Sequence, residues 1–238
     1  MIAIITQARV NSSRLPNKIF MEAGGISFLQ HHINRLKKTG LKIIVATTNN
    51  GSEKPIVDFC AKQNIDCFCG DENNVLSRYY HCAKKYGVTT IIRVTSDCPL
   101  IDGAIILKAA EQYKNYNTQT YYSNTIQRHY PRGMDYEIFS MELLEQAYLK
   151  ANEDSDKEHV TPYIWKNKPG NVIIKHDVAA ADYSNYRITL DTREDKQLLT
   201  ELIENYNAAA LDCNAIVKIL KDNPELAAIN KFIEQKKV

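Results

Sequence analysis

Residues 1–115 alternate between short strand-like runs and amphipathic segments of helical period. The run Met1-Ile2-Ala3-Ile4-Ile5-Thr6-Gln7 is apolar and β-branched and predicts a first strand. Further strands are predicted over 42–48, 65–69 and 90–96. Helices are predicted over 27–38, 53–63, 74–86 and near 103–115. In the first helix Phe28, Leu29, Ile33 and Leu36 share one face, Ser27 can cap its start and Gly40 follows its basic last turn. Such a β-α-β-α order calls for an α/β fold, with a mostly parallel sheet covered by helices on both faces. Ligands bind such sheets outside the carboxyl ends of the strands. Residues 8–18, 47–51, 70–73 and 97–102 are therefore where chemistry is expected.

The second half is less regular. Two strands are expected within 119–140, around the turn-rich Arg128-His129-Tyr130-Pro131-Arg132-Gly133. Helices are expected over 140–151 and 156–167, strands over 171–178 and 186–190, and a helical tail from 193 with a break at Asn223-Pro224. No Gly-, Pro- or Ser-rich linker divides the chain. One domain over 1–238 is expected, with a small substrate-binding or dimerisation subregion at about 119–165, where Tyr residues and Trp165 gather. The cluster Tyr113, Tyr116, Tyr121 and Tyr122 reads as core or interface packing.

Lys plus Arg number 30 and Asp plus Glu 28, a formal charge of +2. A general nucleic-acid binder carries a strong basic excess, so no nucleic-acid partner is expected. No apolar run reaches the roughly 18 residues of a membrane span. The first residues lack a secretion signal's basic region and long apolar core. A cytoplasmic address is expected. Cys60, Cys67, Cys69, Cys82, Cys98 and Cys213 include no Cys-x-x-Cys pair, and they read as free thiols. Cys98, beside Asp97, is the one candidate for reactivity. His31 and His32 face different directions on a helix and make a poor metal pair.

The loop after the first strand holds Arg9, Arg14 and Lys18 among Ser12, Ser13, Asn11 and Asn17. It contains no glycine, so it is neither a Walker loop nor a dinucleotide fingerprint. Gly24-Gly25 reads as a hairpin turn. A loop of this kind turns backbone amides and cations onto phosphate oxygens, or else it is an ordinary charged surface loop. Asp97 ends the strand at 90–96 with no helix amides to satisfy it. Asp102 reads as a helix N-cap. Asp191 reads either as a metal ligand or as the cap of the helix near Arg193. Magnesium is held by one or two carboxylates with phosphate oxygens and waters, which suits Asp97 and Asp191 facing a triphosphate loop.

Taken in order, these segments resemble a known family. Ala8-Arg9, Ser12-Ser13-Arg14-Leu15-Pro16 and Lys18 are similar to the Ala-Arg-x-x-Ser-x-Arg-Leu-Pro-x-Lys signature of the cytidylyltransferases that make CMP-activated acidic sugars, the CMP-Kdo and CMP-acylneuraminate synthetases. Val45-Ala46-Thr47-Thr48, Arg93-Val94-Thr95-Ser96-Asp97-Cys98-Pro99-Leu100-Ile101 and Leu190-Asp191-Thr192-Arg193-Glu194-Asp195 resemble its later motifs. Asn74-Val75-Leu76-Ser77-Arg78-Tyr79, Tyr130-Pro131-Arg132-Gly133-Met134-Asp135-Tyr136-Glu137 and Glu158-His159-Val160-Thr161-Pro162-Tyr163 resemble the branch that includes the spore coat polysaccharide biosynthesis protein F. Two positions depart from the pattern. Asn74 stands where the branch often has Asp, and Arg193 where many relatives have Pro.

The resemblance implies a nucleotide-diphospho-sugar transferase-like, Rossmann-like fold, with a mixed, mainly parallel sheet. It implies transfer of CMP from CTP to an acidic sugar, of the nonulosonic or Kdo-like kind, with release of pyrophosphate and for surface polysaccharide biosynthesis. Lys18, Arg14 and Asp97 are the implied catalytic groups. Ala8, Arg9, Ser12, Ser13, Arg14, Lys18, Thr47, Thr48 and Arg78 are assigned to the nucleotide. Arg132, Asp135, Glu137 and His159 are assigned to the acceptor or its supporting shell, and Asp97 and Asp191 to Mg2+. Arg128 joins them from the charge of the 128–132 turn itself, which reads either as a receiver of an anionic acceptor or as a solvated turn. A homodimer is expected. The alternatives are a nucleotidyltransferase acting on a phosphorylated polyol, amine or phosphonate, and a catalytically silent nucleotide-binding or scaffold protein. A glycosyltransferase is disfavoured, because no Asp-x-Asp stands at a strand end and the Arg-Leu-Pro-x-Lys loop would be unexplained.

Overall fold

The computed structural model of the protein describes residues 1–12 and 14–234. Strand β1 (Ile2–Gln7) pairs in parallel with β4 (Lys42–Thr48) on one side and β6 (Thr90–Thr95) on the other, and β4 pairs in parallel with β5 (Asp66–Gly70). The interiors of β1 and β4 and most of β6 are covered on both faces, which is why they read as apolar runs without alternation, whereas β5 at the edge is only half-buried. Strands β2 (Glu22–Ala23) and β3 (Ile26–Ser27) form a separate hairpin, turned by Gly24 and Gly25 at positive φ.

The crossovers are helices α1 (Phe28–Lys37), α2 (Lys54–Gln63) and α3 (Val75–Lys85), and α4 (Gly103–Tyr113) follows β6. Ser27 caps α1 by accepting the Gln30 amide, and Phe28, Leu29, Ile33 and Leu36 are fully buried. Asn74 caps α3 and Asp102 caps α4, each through its side-chain oxygen.

The sheet continues into the second half. Strand β8 (Glu137–Ser140) lies antiparallel to β6, β7 (Thr120–Ser123) lies antiparallel to β8, and β9 (Ile173–His176) pairs in parallel with β7 at the edge. The complete order is β5-β4-β1-β6-β8-β7-β9. The mixed, mainly parallel sheet with helices is thus present. Tyr121 and Tyr122, adjacent on β7, point to opposite faces. Tyr121 stacks on Phe139, whereas Tyr122 packs edge-on against Tyr116 and Tyr136. The tyrosine cluster is therefore divided between two cores.

Two sequence readings are corrected. The helix expected over 156–167 is two short ones, α6 (Asp154–His159) and α7 (Pro162–Trp165), which follow α5 (Met141–Lys150). Val160 between them has φ 74°, outside the helical region, and Pro162 starts the second. Residues 186–190 are not a strand but an extended segment with one isolated bridge, Arg132 to Arg187. Gly133, at φ 107°, lets this segment approach closely, since a Cβ there would stand 2.6 Å from the Ile188 carbonyl oxygen. The tail forms α8 (Arg193–Tyr206), α9 (Cys213–Asp222) and α10 (Pro224–Ala228), with the break at Asn223-Pro224 as expected. Leu198, Leu199 and Leu202 of α8 pack with Ile216, Val217 and Leu220 of α9 in a third core.

Candidate active site

The loop after β1 is pinned by its apolar members. Leu15 and Ile19 are buried, and the Asn17 amide donates to the Val10 carbonyl, closing residues 10–17 on themselves. A 3-10 turn at Lys18–Phe20 follows. Anchored in this way, the loop leaves Arg9 and Arg14 exposed and turns Lys18 inward.

Lys18 Nζ donates to Asp97 Oδ2 at 3.1 Å and to Asp191 Oδ1 at 2.7 Å. The two carboxylates are 94 residues apart in sequence, and the backbone joins them. The Leu190 amide and the Thr189 hydroxyl both donate to the Asp97 carbonyl, at 2.7 and 3.0 Å. Asp191 caps no helix. Thr192 caps α8 in a capping box with Asp195. Asp191 Oδ2 instead receives Arg187 Nη2 at 3.1 Å and stands 3.4 Å from Arg14 Nη2. Asp195, fully buried, holds Arg187 through Nε and Nη2 and also accepts the Asp191 and Thr192 amides. Arg187 and Asp195 carried no site assignment from sequence. The signal for Arg187 lay in the alternation of polar Arg187, Thr189 and Asp191 with apolar Ile188 and Leu190.

Burial alone would lower the Lys18 pKa, but the Asp97 and Asp191 carboxylates outweigh it and raise it. Burial alone would raise Asp97, yet Lys18, the Thr95 hydroxyl and the residue's own amide bring it down to about 2. Lys18 and Asp97 therefore form an ion pair at neutral pH. Cys98 next to it is buried and its thiol is pushed well up by burial and by Asp97, so it stays protonated.

A cleft of about 320 Å³ opens over this cluster. Ala8, Arg9, Ser12, Arg14, Lys18, Arg78, Asp97, Arg132, Asp135, His159 and Asp191 of the sequence-assigned residues line it. Arg93, Gln7, Thr95, Ser96, Glu158 and Thr189 line it as well and had no assignment. Thr47 and Thr48 end β4 as buried residues outside the lining set. Arg128 is also outside it, held on both oxygens of Asp135 at 2.5 and 2.9 Å. Glu137 is buried, 5% exposed, behind Arg93. Ser13 lies outside the described residues.

Among the described residues no group of three or more His, Cys, Asp or Glu side chains is placed to hold a metal. Asp97 and Asp191 form a two-carboxylate set already gathered around one cation, the Lys18 ammonium. That set fits Mg2+, which takes one or two carboxylates and completes its shell with phosphate oxygens and water.

The fold is that of the nucleotide-diphospho-sugar transferases. The chain belongs to the cytidylyltransferase family, whose model matches residues 3–219. It is 27% identical to the spore coat polysaccharide biosynthesis protein SpsF of Bacillus subtilis (strain 168), over 95% of this chain and 96% of that one. It is 28% identical to a cytidylyltransferase of known structure from Leptospira borgpetersenii, with a TM-score of 0.89 over 99% of both chains. The structure of a CMP:2-keto-3-deoxy-manno-octonic acid synthetase complexed with CTP shares the fold at 17% identity, with a TM-score of 0.61 over 85% of this chain and 98% of that one.

Proposed function

We propose that the protein transfers CMP from CTP to the hydroxyl of an acidic sugar, releasing pyrophosphate, in the synthesis of a surface polysaccharide. One observation carries this reading. Lys18, Asp97 and Asp191, from three distant segments, meet at the base of a cleft rimmed by Arg9, Arg14, Arg78 and Arg132. Such a ring of cations around paired carboxylates suits a nucleoside triphosphate. The likeness to SpsF supports the polysaccharide setting, and the CTP-bound relative supports the nucleotide.

In this reading the acceptor oxygen attacks the α-phosphorus and the bond to the β-phosphate oxygen breaks. Charge grows on the phosphoryl oxygens and on the leaving group, so catalysis rests on position and on cations aimed at that charge. Lys18 exchanges its two carboxylates for the phosphates of CTP. Arg14, 3.4 Å from Asp191, turns to the same polyanion, and Arg9 reaches it from the exposed loop. Asp97 and Asp191, released by Lys18, are the groups that would hold Mg2+, which when bound would neutralise the phosphate charge. Arg132 and His159 face the acceptor, and Asp135 orients its partner Arg128 beside them. A cytoplasmic address goes with a CTP-consuming reaction. A homodimer through 119–165 remains part of the proposal, although Tyr121 and Tyr122 are already buried within the chain.

The test is pyrophosphate release with CTP, ATP, UTP and GTP against 3-deoxy-manno-octulosonate, N-acetylneuraminate, a phosphorylated polyol and a phosphonate. Release with CTP and an acidic sugar is expected. Turnover confined to the phosphorylated acceptors selects the alternative substrate class. Failure of CTP to bind at all, by calorimetry with Mg2+, returns the chain to a silent scaffold.

A further inference from the structure

Arg93 had no functional assignment, yet its surroundings are those of a held receptor. It stands in direct register with Glu137 across the antiparallel pair β6–β8, and Nη1 donates to Glu137 Oε2. Glu137 cannot turn away, because Tyr121 Oη and Thr161 Oγ1 both donate to its other oxygen at 2.6 Å. Tyr79 lies against the guanidinium, with Cζ 5.7 Å from the ring centroid. The Thr161 contact depends on the turn at Val160, a β-branched residue held at the strained φ of 74°. The same turn places His159 on the cleft wall.

So fixed, Arg93 spends one N–H group. Its Nε has no hydrogen-bond partner, and the side chain keeps 15% of its surface where it lines the cleft. Gln7 lies one strand away, where Gln7 pairs with Thr95 and Ile5 with Arg93. Its buried Oε1 also lacks a partner. Donors without an acceptor and an acceptor without a donor thus stand on one wall. Leaving such groups unmet is costly, and a ligand carrying an anion and a hydroxyl would satisfy both.

We propose that Arg93, positioned by Glu137, receives the carboxylate of the acceptor, and that Gln7 accepts from a neighbouring hydroxyl. The inference rests on the cytidylyltransferase reading and assigns the carboxylate of its acidic acceptor to one residue. Electrostatics select the carboxylate over a phosphate monoester. The Arg93–Glu137 pair is neutral overall, so it offers directed hydrogen bonds with little net charge. A phosphate dianion costs more to desolvate than a monoanionic carboxylate, and a neutral pair returns no net charge to offset that cost.

The experiment uses the whole chain saturated with a non-hydrolysable CTP analogue, titrated with 3-deoxy-manno-octulosonate and, separately, with glucitol 6-phosphate. Binding of the carboxylate in preference to the phosphate is expected. In Arg93→Gln its Kd should rise about tenfold or more, with the Kd of the CTP analogue within about twofold of the parent. Glu137→Gln keeps the side chain's shape, and it should weaken the carboxylate without weakening the nucleotide. Arg93→Lys, retaining charge without the planar fork, should not restore it. A purely structural role for Glu137 would lower Tm and weaken both ligands together. Equal loss of both ligands, tighter binding of the phosphate, or no binding of either overturns the proposal. The affinity of the CTP analogue, measured first, judges the cytidylyltransferase reading by itself.

Discussion

The two walls of the cleft solve opposite problems. On one, Lys18, Asp97 and Asp191 are backed by Arg187 and Asp195, and with Arg14 three cations meet three carboxylates, so the charges neutralise before any ligand arrives. On the other, Arg93 is clamped by Glu137 with N–H groups unspent. A wall of mutually paired ions must exchange partners to bind, whereas a wall of held donors only receives. The first suits a polyanion able to displace a salt bridge, and the second suits a smaller group recognised by direction.

The largest expected effect breaks the first wall at its acid. Asp97→Asn should lower the rate of CMP transfer by about 10²–10³-fold while circular dichroism stays that of the parent and stability falls by no more than about 2 kcal/mol. Pyrophosphate release measures the rate. A variant working at full rate would remove Asp97 from the chemistry and leave the paired wall a structural device.

Acid pH should loosen the same wall from beneath. His32 is fully buried, with Nε2 against Thr6 Oγ1 at 2.9 Å and Nδ1 against the Cys98 carbonyl at 2.9 Å, just below Asp97. Burial lowers its pKa to about 4, although the Cys98 carbonyl and the Asp97 charge oppose the shift. The unfolded chain takes up this proton near the ordinary 6.5, and the folded chain only near 4. This contribution to stability is therefore complete above about 6.5 and is lost as pH falls to 4, by about 3 kcal/mol in all. Urea unfolding between pH 7 and 4 should show the slope, and His32→Gln should flatten it. An unchanged slope in that variant would assign the acid sensitivity to other groups.

Removing the shared cation comes next. Lys18→Met strands Asp97, while Asp191 keeps Arg187 and Arg14. Stability should fall by about 1–3 kcal/mol at pH 7. The Asp97 carboxyl, no longer held down, should titrate upward from about 2, which NMR can follow. Mg2+ added without nucleotide should restore part of the lost stability.

Sequence made the paired wall more legible than the receiving one. Lys18, Asp97 and Asp191 each follow or end a segment whose burial pattern is local, and their type marks them. Arg93 and Glu137 are 44 residues apart in antiparallel strands, and only the register across β6 and β8 makes them a pair. Residues 186–190 alternate polar and apolar side chains as a strand does, although 187–190 are all buried. Their backbone, however, is tied to loops, with Ile188 donating to Arg132 and Leu190 to Asp97. The break at Val160 had no local signal beyond Pro162, because it serves a contact with distant Glu137. The inner parallel strands of the first half were readable because burial on both faces leaves an apolar run in the sequence itself.

The smallest effect probes the edge of the receiving wall, where Asn74 replaces the branch's frequent Asp. Asn74 Oδ1 accepts the Ser77 amide at 2.9 Å and so starts α3, the helix that carries Arg78 and Tyr79. An Asp oxygen would cap equally well and would add a favourable charge near the helix N-terminus. Asn74→Asp should leave turnover unchanged and shift stability by no more than about 0.5 kcal/mol, whereas Asn74→Ala should cost about 1 kcal/mol. Parallel urea unfolding and turnover measurements distinguish the roles. A rise in turnover with Asp, at equal stability, would mean that this end of α3 takes part through charge and not only by holding the helix.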